Sequence, residues 1–310
     1  MKVPKLSTIA RSIQSGQIKY LLPHYYYRWR RGIDIESTPY VQVVEPGTPG
    51  STEVHMLTGA KHYVDLLYAI KSFILHYPAP VSLFIHADGT VTEKIIGRIQ
   101  KHLPGAIVLS RQERDEIVEP KLKQSNLYHC LNLRKLNVYA TKLIDVFYIA
   151  HAERMILLDT DCLSFRSLDY LHELAISSEA TDVFGKDPAS YAYSLSSEAI
   201  RNNLGVDIVP HLNTGLVLIS RETLNLNLVE KWLSLPVFPS KDFFAEQTII
   251  AALASRREVE VFPKEYNMGR SLDEKQAALI HYCGHYLSEI RIAMRSVGQS
   301  MVLKQLKSVA

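Results

Sequence analysis

The stretch RMILLDTDCLSF, Arg154 to Phe165, sets four consecutive apolar residues, Met155 to Leu158, against a pair of aspartates, Asp159 and Asp161. An unbroken apolar run of this kind predicts a central strand covered on both faces, because a strand with one solvated face would alternate. An acid pair at the end of such a strand is costly as idle charge. Two carboxylates one residue apart suit a divalent ion shared with a diphosphate, since hard cations prefer oxygen ligands. Thr160 between them adds a hydroxyl. A random Asp-x-Asp is usually a solvated turn, but the apolar residues on both sides, including Leu163 and Phe165, set this one inside a core strand system.

Outward from this motif, strands and helices alternate. EVHMLTG (53–59) reads as a strand, and Val64, Leu67, Ile70, Phe73 and Ile74 then recur at helical spacing. VSLFIHADG (81–89) is a second strand, KIIGRIQKHL (94–103) a helix and AIVLS (106–110) a third strand. A longer helical region is expected from Asn126 to His151, with Leu136, Tyr139, Leu143, Val146 and Phe147 on its buried side. This order implies an α/β fold with a mostly parallel sheet flanked by helices, and ligands bind such sheets beyond the carboxyl ends of the strands. Repeats, heptads and low-complexity tracts are absent from the sequence.

Composition narrows the function classes. The 310 residues carry 35 basic and 32 acidic side chains, a formal charge of +3, so a global basic field for nucleic acid is excluded as a partner signal. The three cysteines, Cys130, Cys162 and Cys283, match neither a disulfide framework nor a zinc ribbon, which favours a reducing compartment. Neither a membrane-spanning apolar run nor a signal core is visible, and a cytoplasmic protein is expected. Residues 1–50 form a basic and aromatic extension, with Lys2, Lys5, Arg11, Lys19, Arg28, Arg30 and Arg31 among Tyr25, Tyr26, Tyr27 and Trp29. That composition suits the anionic inner face of a membrane or a lipid-linked acceptor, and equally suits packing against the main domain. EPGTPGST (45–52) reads as a linker, 51–290 as the catalytic domain and 291–310 as a helical tail.

Several blocks, taken in order, resemble the glycogenin-like and galactosyltransferase-like enzymes of glycosyltransferase family 8. YATKLIDVFYIAHAERMILLDTDCLSFRSLDYL (139–171) is similar to that family's Thr-Lys-Leu helix, strand and Asp-x-Asp block. HLNTGLVLIS (211–220) is similar to its Asn-x-Gly strand, FFAEQTIIAAL (243–253) to its acidic-Gln helix start, PKEYN (263–267) to a late Tyr-Asn loop and LIHYCG (279–284) to its His-x-x-Gly block. The resemblance spans about residues 53–286 and implies a GT-A nucleotide-diphospho-sugar transferase fold. It also implies transfer of a hexosyl group from a UDP-sugar to an acceptor hydroxyl, with manganese or magnesium and with retention at the anomeric carbon. The acceptor, whether glycan, lipid-linked or protein, stays open.

By the same resemblance Asp161 and His281 are metal ligands, and Asp159 touches the metal or the ribose. Lys142 meets the donor's sugar or phosphates, Thr58 and Gly59 its base, and Gly215 and Gly284 leave room for it. Asn213, Glu246 and Gln247 border the transferred sugar. Glu246 also suits the positive end of a helix dipole by itself. Where the family continues with Lys-Pro-Trp after His-x-x-Gly, this chain reads His285-Tyr286-Leu287-Ser288, and Arg291 or Arg295 is the expected substitute for that lysine. His211 and Asp187 lie in loops near the same cleft, and Cys162 and Cys283 adjoin proposed ligands as small core residues. Two other functions use a related α/β architecture. A sugar-phosphate nucleotidyltransferase would want a glycine-rich basic loop after the first strand, of which TGAKHY (58–63) is a poor version. A non-catalytic binding protein of this fold would lack the acidic pair.

Overall fold

The computed structural model describes residues 6–14, 16–179, 181–189, 192–269, 273–284 and 288–309. Helices α1 (Leu6–Gln14) and α2 (Ile18–Asp34) precede the first strand. The order continues β1 (Thr52–Thr58), α3 (Tyr63–His76), β2 (Val81–Ala87), α4 (Glu93–His102), β3 (Ile107–Leu109) and α5 (Arg111–Gln124). Then α6 (Tyr128–Leu136), a 3-10 turn (Val138–Lys142) and α7 (Ile144–Ile149) lead into β4 (Arg154–Leu158) and β5 (Cys162–Ser164). They are followed by α8 (Asp169–Ile176), β6 (Asp182–Lys186), α9 (Ser197–Leu204), β7 (Leu212–Ser220), α10 (Leu226–Leu233) and α11 (Ala245–Ala254). Last come β8 (Val259–Val261), β9 (Tyr266–Met268), β10 (Leu279–His281), α12 (Glu289–Ala293), a π-helical turn (Met294–Gly298) and α13 (Gln299–Ser308).

Among the described residues, seven strands form the main sheet in the order β3-β2-β1-β4-β7-β6-β8, with β4 in the middle. Pairing is parallel except at β7, which runs against both β4 and β6. The apolar run of β4 is covered on both faces as its composition requires. Ile156 and Leu158 enter the core under α3, whereas Met155 and Leu157 point into the layer built from α6, α7 and α11. Fully burying each such side chain contributes about 1.5–3 kcal/mol. Because β7 is reversed, its residues Leu216–Ser220 pair with β4, Leu158 opposite Leu216, and its first residues, Leu212 to Gly215, reach past the end of β4 toward the acids. A second sheet, β5-β10-β9, starts just past the acids and sets Cys162 opposite His281. The Asp159–Asp161 turn is therefore the junction of two sheets.

The expected long helix from Asn126 to His151 is instead three short pieces. Asn137 is extended (φ −130°, ψ 112°), and its side chain accepts from the Tyr139 amide, a local bond that competes with helix continuation. Leu136, expected inside, is 44% exposed at that break. What holds the pieces together is polar: Asp145 is fully buried and binds Arg134 Nε at 2.6 Å and Arg114 Nη1. Arg114 comes from α5, an element not expected from periodicity. Its start has a capping box, in which Ser110 accepts from the Glu113 amide and Glu113 from the Ser110 amide.

The chain before β1 is tied into the same core. Ile35 and Val43 are buried there, and the amides of Val41 and Val44 bond the carbonyls of His102 and Val81 at 3.0 and 2.9 Å. Lys2 and Lys5 lie outside the described residues, as does the side chain of Arg11. At the other end, Val302 and Leu306 of α13 are buried in that core. Among the described residues no helix is long and apolar enough to cross a membrane.

Candidate active site

The two acids are fixed by backbone bonds from both sheets. The Asp159 amide donates to the Gly215 carbonyl at 2.8 Å, and the Asp161 carbonyl accepts from the Tyr282 amide at 2.9 Å. The segment is a turn, as a bare Asp-x-Asp often is, but a turn enclosed by protein. Asp161 is buried, and the Asp159 side chain is 27% exposed.

Three cationic or basic groups converge on them. Lys142 Nζ lies 2.6 Å from Asp159 Oδ1 and donates to the Thr214 carbonyl at 3.2 Å. His281 Nε2 lies 3.2 Å from Asp161 Oδ1 and 3.9 Å from Asp159 Oδ2. Arg291 Nη2 lies 2.7 Å from Asp161 Oδ2. Burial opposes charge on both Asp161 and Lys142, yet the partners win. Arg291 and His281 hold the Asp161 carboxyl well below the usual range, and Asp159 and Glu246 raise the affinity of Lys142 for its proton.

The oxygens left over by Lys142 and Arg291 are Asp159 Oδ2 and Asp161 Oδ1, and both turn to His281 Nε2. This set of two carboxylates and one imidazole fits a divalent ion of the magnesium or manganese kind. Among the described residues, Asp161, Cys162 and His281 also bring potential ligand atoms within 4.8 Å of one another. Cys162 is the poorer ligand of that trio. Its Sγ donates to the Gly215 carbonyl at 3.3 Å, and burial keeps the thiol protonated, whereas a metal needs the thiolate.

On the far side of Lys142 stands α11. Glu246 Oε2 accepts from Thr214 Oγ1 at 3.2 Å, while its buried Oε1 has no partner among the described residues. Burial, more than offsetting Lys142, raises the Glu246 carboxyl to about 7. Gln247 spends both ends of its amide on backbone, accepting from Thr214 N at 3.2 Å and donating to Ala192 O at 2.7 Å. Asn213 likewise accepts from the Gly215 amide and donates to Asp187, each at 2.8 Å. Gln247 and Asn213 thus shape the start of β7.

The glycines have steric reasons. A Cβ on Gly215 would run into the His281 ring, so the imidazole can lie over the strand only because that position is bare. Thr58 ends β1 and Gly59 follows it, and the register of β1 beside β4 puts them along the same sheet edge as the acids. A Cβ on Gly59 would strike the Asp88 carboxylate. Gly284 packs under Ile290 of α12 and accepts from Arg291 Nε at 3.4 Å, so it supports the arginine's helix. Cys283 is part-buried there with a thiol pushed up to about 12 by burial. His285, Tyr286 and Leu287 lie outside the described residues.

Of the two arginines expected to replace the missing lysine, Arg291 reaches the site and Arg295 does not. Arg295 is buried against α3, its Nη2 2.7 Å from Asp65 Oδ2. His211 is at the site's margin, with φ 64° and Nδ1 2.7 Å from the Ala189 carbonyl. Two contributors were not foreseen. Thr214, the middle residue of Asn-x-Gly, meets Lys142, Glu246 and Gln247 at once. Tyr139 stands half-buried with its ring 5.1 Å from that of Phe243, and burial together with Asp159 raises its hydroxyl pKa. A tyrosine three residues before the lysine was the available signal.

Neither a protein-family model nor a curated protein sequence matches the chain. In backbone it is similar to the WbbM bifunctional glycosyltransferase, with a TM-score of 0.51 and 12% identity over 85% of this chain and 53% of that one. The chain therefore spans about half the length of that protein. It is also similar to the galactosyltransferase LgtC solved with donor and acceptor sugar analogues (TM-score 0.49, 16% identity, 83% of this chain and 96% of that one). A third likeness is to mouse xyloside xylosyltransferase 1 (TM-score 0.46, 12% identity, 75% and 98% covered). The fold is thus the α/β GT-A fold, a mostly parallel central sheet flanked by helices, as the order of elements implied.

Proposed function

We propose that this protein is a metal-dependent glycosyltransferase that moves a hexosyl group from a nucleoside diphosphate sugar, a UDP-sugar, to an acceptor hydroxyl. A shared fold does not choose a chemistry. The observation that carries the reading is local: Asp159, Asp161 and His281 turn their free ligand atoms to one point, with Lys142 and Arg291 on its two sides. Three candidate ligands plus two cations is an arrangement for a diphosphate, whose charge exceeds what either cation alone would balance.

Asp159, Asp161 and His281 would hold the ion, which when bound supplies Lewis-acid stabilisation of the leaving diphosphate. Lys142 and Arg291, already protonated and oriented, counter the same charge without reorganising during reaction. Glu246, with an unpartnered buried oxygen on the Lys142 side, offers an acceptor toward the sugar or its positive charge as it develops. Gln247 and Asn213 act by fixing Thr214 and Gly215. Thr58 and Gly59, at the end of β1, border the nucleoside. Retention at the anomeric carbon is the stereochemistry the family resemblance implies. A nucleotidyltransferase fits less well, since the loop after β1 meets the Asp88 carboxylate where that chemistry wants cations.

The test is a panel of sugar nucleotides with manganese, following release of nucleoside diphosphate. Asp161→Asn is expected to slow turnover on the preferred donor by about a hundredfold or more, several kcal/mol of transition-state stabilisation. Undiminished turnover in that variant rejects the metal assignment, and no turnover of any donor by wild type rejects the reaction.

A further inference from the structure

Helix α2 has two faces of opposite character. Leu21, His24, Arg31 and Asp34 are buried. Arg31 Nε donates to the Arg295 carbonyl at 2.7 Å, and Arg295 Nη1 lies 2.9 Å from His24 Nδ1. This face is thereby fastened to the π-helical turn and, through Arg295 and Asp65, to α3. The other face carries Ile18, Leu22, Tyr26, Trp29 and Ile33, exposed by 45, 69, 49, 43 and 50%.

Their successive spacings of four, four, three and four residues place all five on one stripe. Single exposed apolar side chains are ordinary on a protein surface. A continuous ridge of them along a 17-residue helix, about 25 Å of length, is not. At 100° per residue Lys19 and Arg30 fall along one margin of the stripe. The Arg30 side chain is 54% exposed even while its Nε pairs with Asp34 at 3.1 Å. Apolar centre, amphipathic rings and a cationic margin together match a bilayer interface, where rings sit among headgroups and basic side chains meet lipid phosphates. The formal charge of the whole chain is only +3, so this match is local to the helix.

We propose that α2 seats the protein on an anionic lipid bilayer, lying in the interface plane with the Ile18–Leu22–Tyr26–Trp29–Ile33 stripe downward and Lys19 and Arg30 against lipid phosphates. This does not depend on the reaction proposed above. Since α2 packs on α12, docking also joins the bilayer-bound helix to the segment that carries Arg291.

The test uses the full chain with pure phosphatidylcholine vesicles and with mixed phosphatidylcholine–phosphatidylglycerol vesicles, by co-sedimentation and tryptophan emission. Of the two tryptophans, Trp232 is 2% exposed, so a blue shift on binding reports Trp29. Expected are a blue shift and sedimentation with the anionic vesicles, both weakened by salt. Leu22→Glu and Ile33→Glu should each lower that affinity by about tenfold or more, given the apolar area withdrawn, with melting temperatures unchanged. Lys19→Gln should weaken binding only on the anionic vesicles. Absence of binding to anionic vesicles at low salt overturns the proposal, as does full binding by Leu22→Glu. Vesicle-free self-association that Leu22→Glu abolishes also overturns it, by assigning the stripe to a second copy of the chain.

Discussion

Arg291 and His281 grip the same carboxylate from its two oxygens: Arg291 Nη2 lies 2.7 Å from Asp161 Oδ2, and His281 Nε2 lies 3.2 Å from Asp161 Oδ1. Arg291 belongs to a five-residue helix, α12, held by Gly284 below it and by α2 beside it. A cation on so short a support is placed to trade one anion for another, the carboxylate for a phosphate. Arg291→Ala should therefore raise the KM for the donor by about ten- to a hundredfold, the size of one charged hydrogen bond, with a smaller effect on kcat. Arg291→Lys should recover part of it. Unchanged donor affinity in Arg291→Ala would remove the arginine from diphosphate recognition.

Gly215→Ala asks whether the bare strand under His281 matters. The added Cβ must push the imidazole aside, because the strand beneath is pinned by the Asp159 amide and cannot yield. Manganese affinity, measured by calorimetry on the folded variant, should fall by about ten- to a hundredfold, the usual cost of disturbing a ligand's support. An affinity equal to wild type would mean that His281 is not a ligand.

Glu246 gives the protein a pH dependence of known sign. Its carboxyl is held at about 7 against an ordinary 4.5, so the folded chain binds that proton more tightly than the unfolded one. The contribution is fully present below about 4.5 and is lost as pH rises through about 7, about 3 kcal/mol in all. Glu246→Gln, which carries no titrating group, should match wild type near the acid end of this window and be the more stable protein above its upper end. Urea midpoints measured across the window decide it, and parallel profiles for the two proteins would show that Glu246 titrates normally.

Asp145 pairs with two buried guanidinium groups, those of Arg114 and Arg134, the second of which also holds Asp115 at 2.5 Å. Asp145→Ala takes the carboxylate from Arg114 in the core and should cost about 3–5 kcal/mol of unfolding free energy. The 3-10 turn bearing Lys142 is tied to the same cluster through Thr141, whose hydroxyl accepts from Arg114 at 3.1 Å, so activity should fall too. A denaturation midpoint within error of wild type would show the network to be dispensable.

The strand positions and the placement of the acids were legible because a buried parallel strand needs an unbroken apolar run and an exit at its carboxyl end. The break at Asn137 was not, since Tyr139, Leu143 and Val146 keep helical spacing through it, and only the distant Arg114–Asp145–Arg134 cluster makes the break affordable. Helix α5 escaped because its charged residues surround it and leave little apolar stripe, although Ser110 and Glu113 marked its start. At the site, Lys142, His281 and Glu246 could be named from ordered motifs. Thr214 could not, because its role lies in meeting three partners from separate elements. The choice between Arg291 and Arg295 was likewise tertiary: Asp65, far off in the sequence, claims Arg295.

The reversed strand β7 separates what can vary from what must not. Its first residues, Leu212 to Gly215, run past the end of β4 beside the acids, which leave β4 in the opposite sense and continue into β5. Around α9 the chain leading into β7 can change without touching the Asp187–Asn213–Gly215 contacts on which the Asp159 amide rests. If the chain is the transferase proposed above, changes of acceptor preference are expected from exchange of the α9 region, with the β4–β7 pairing kept in register.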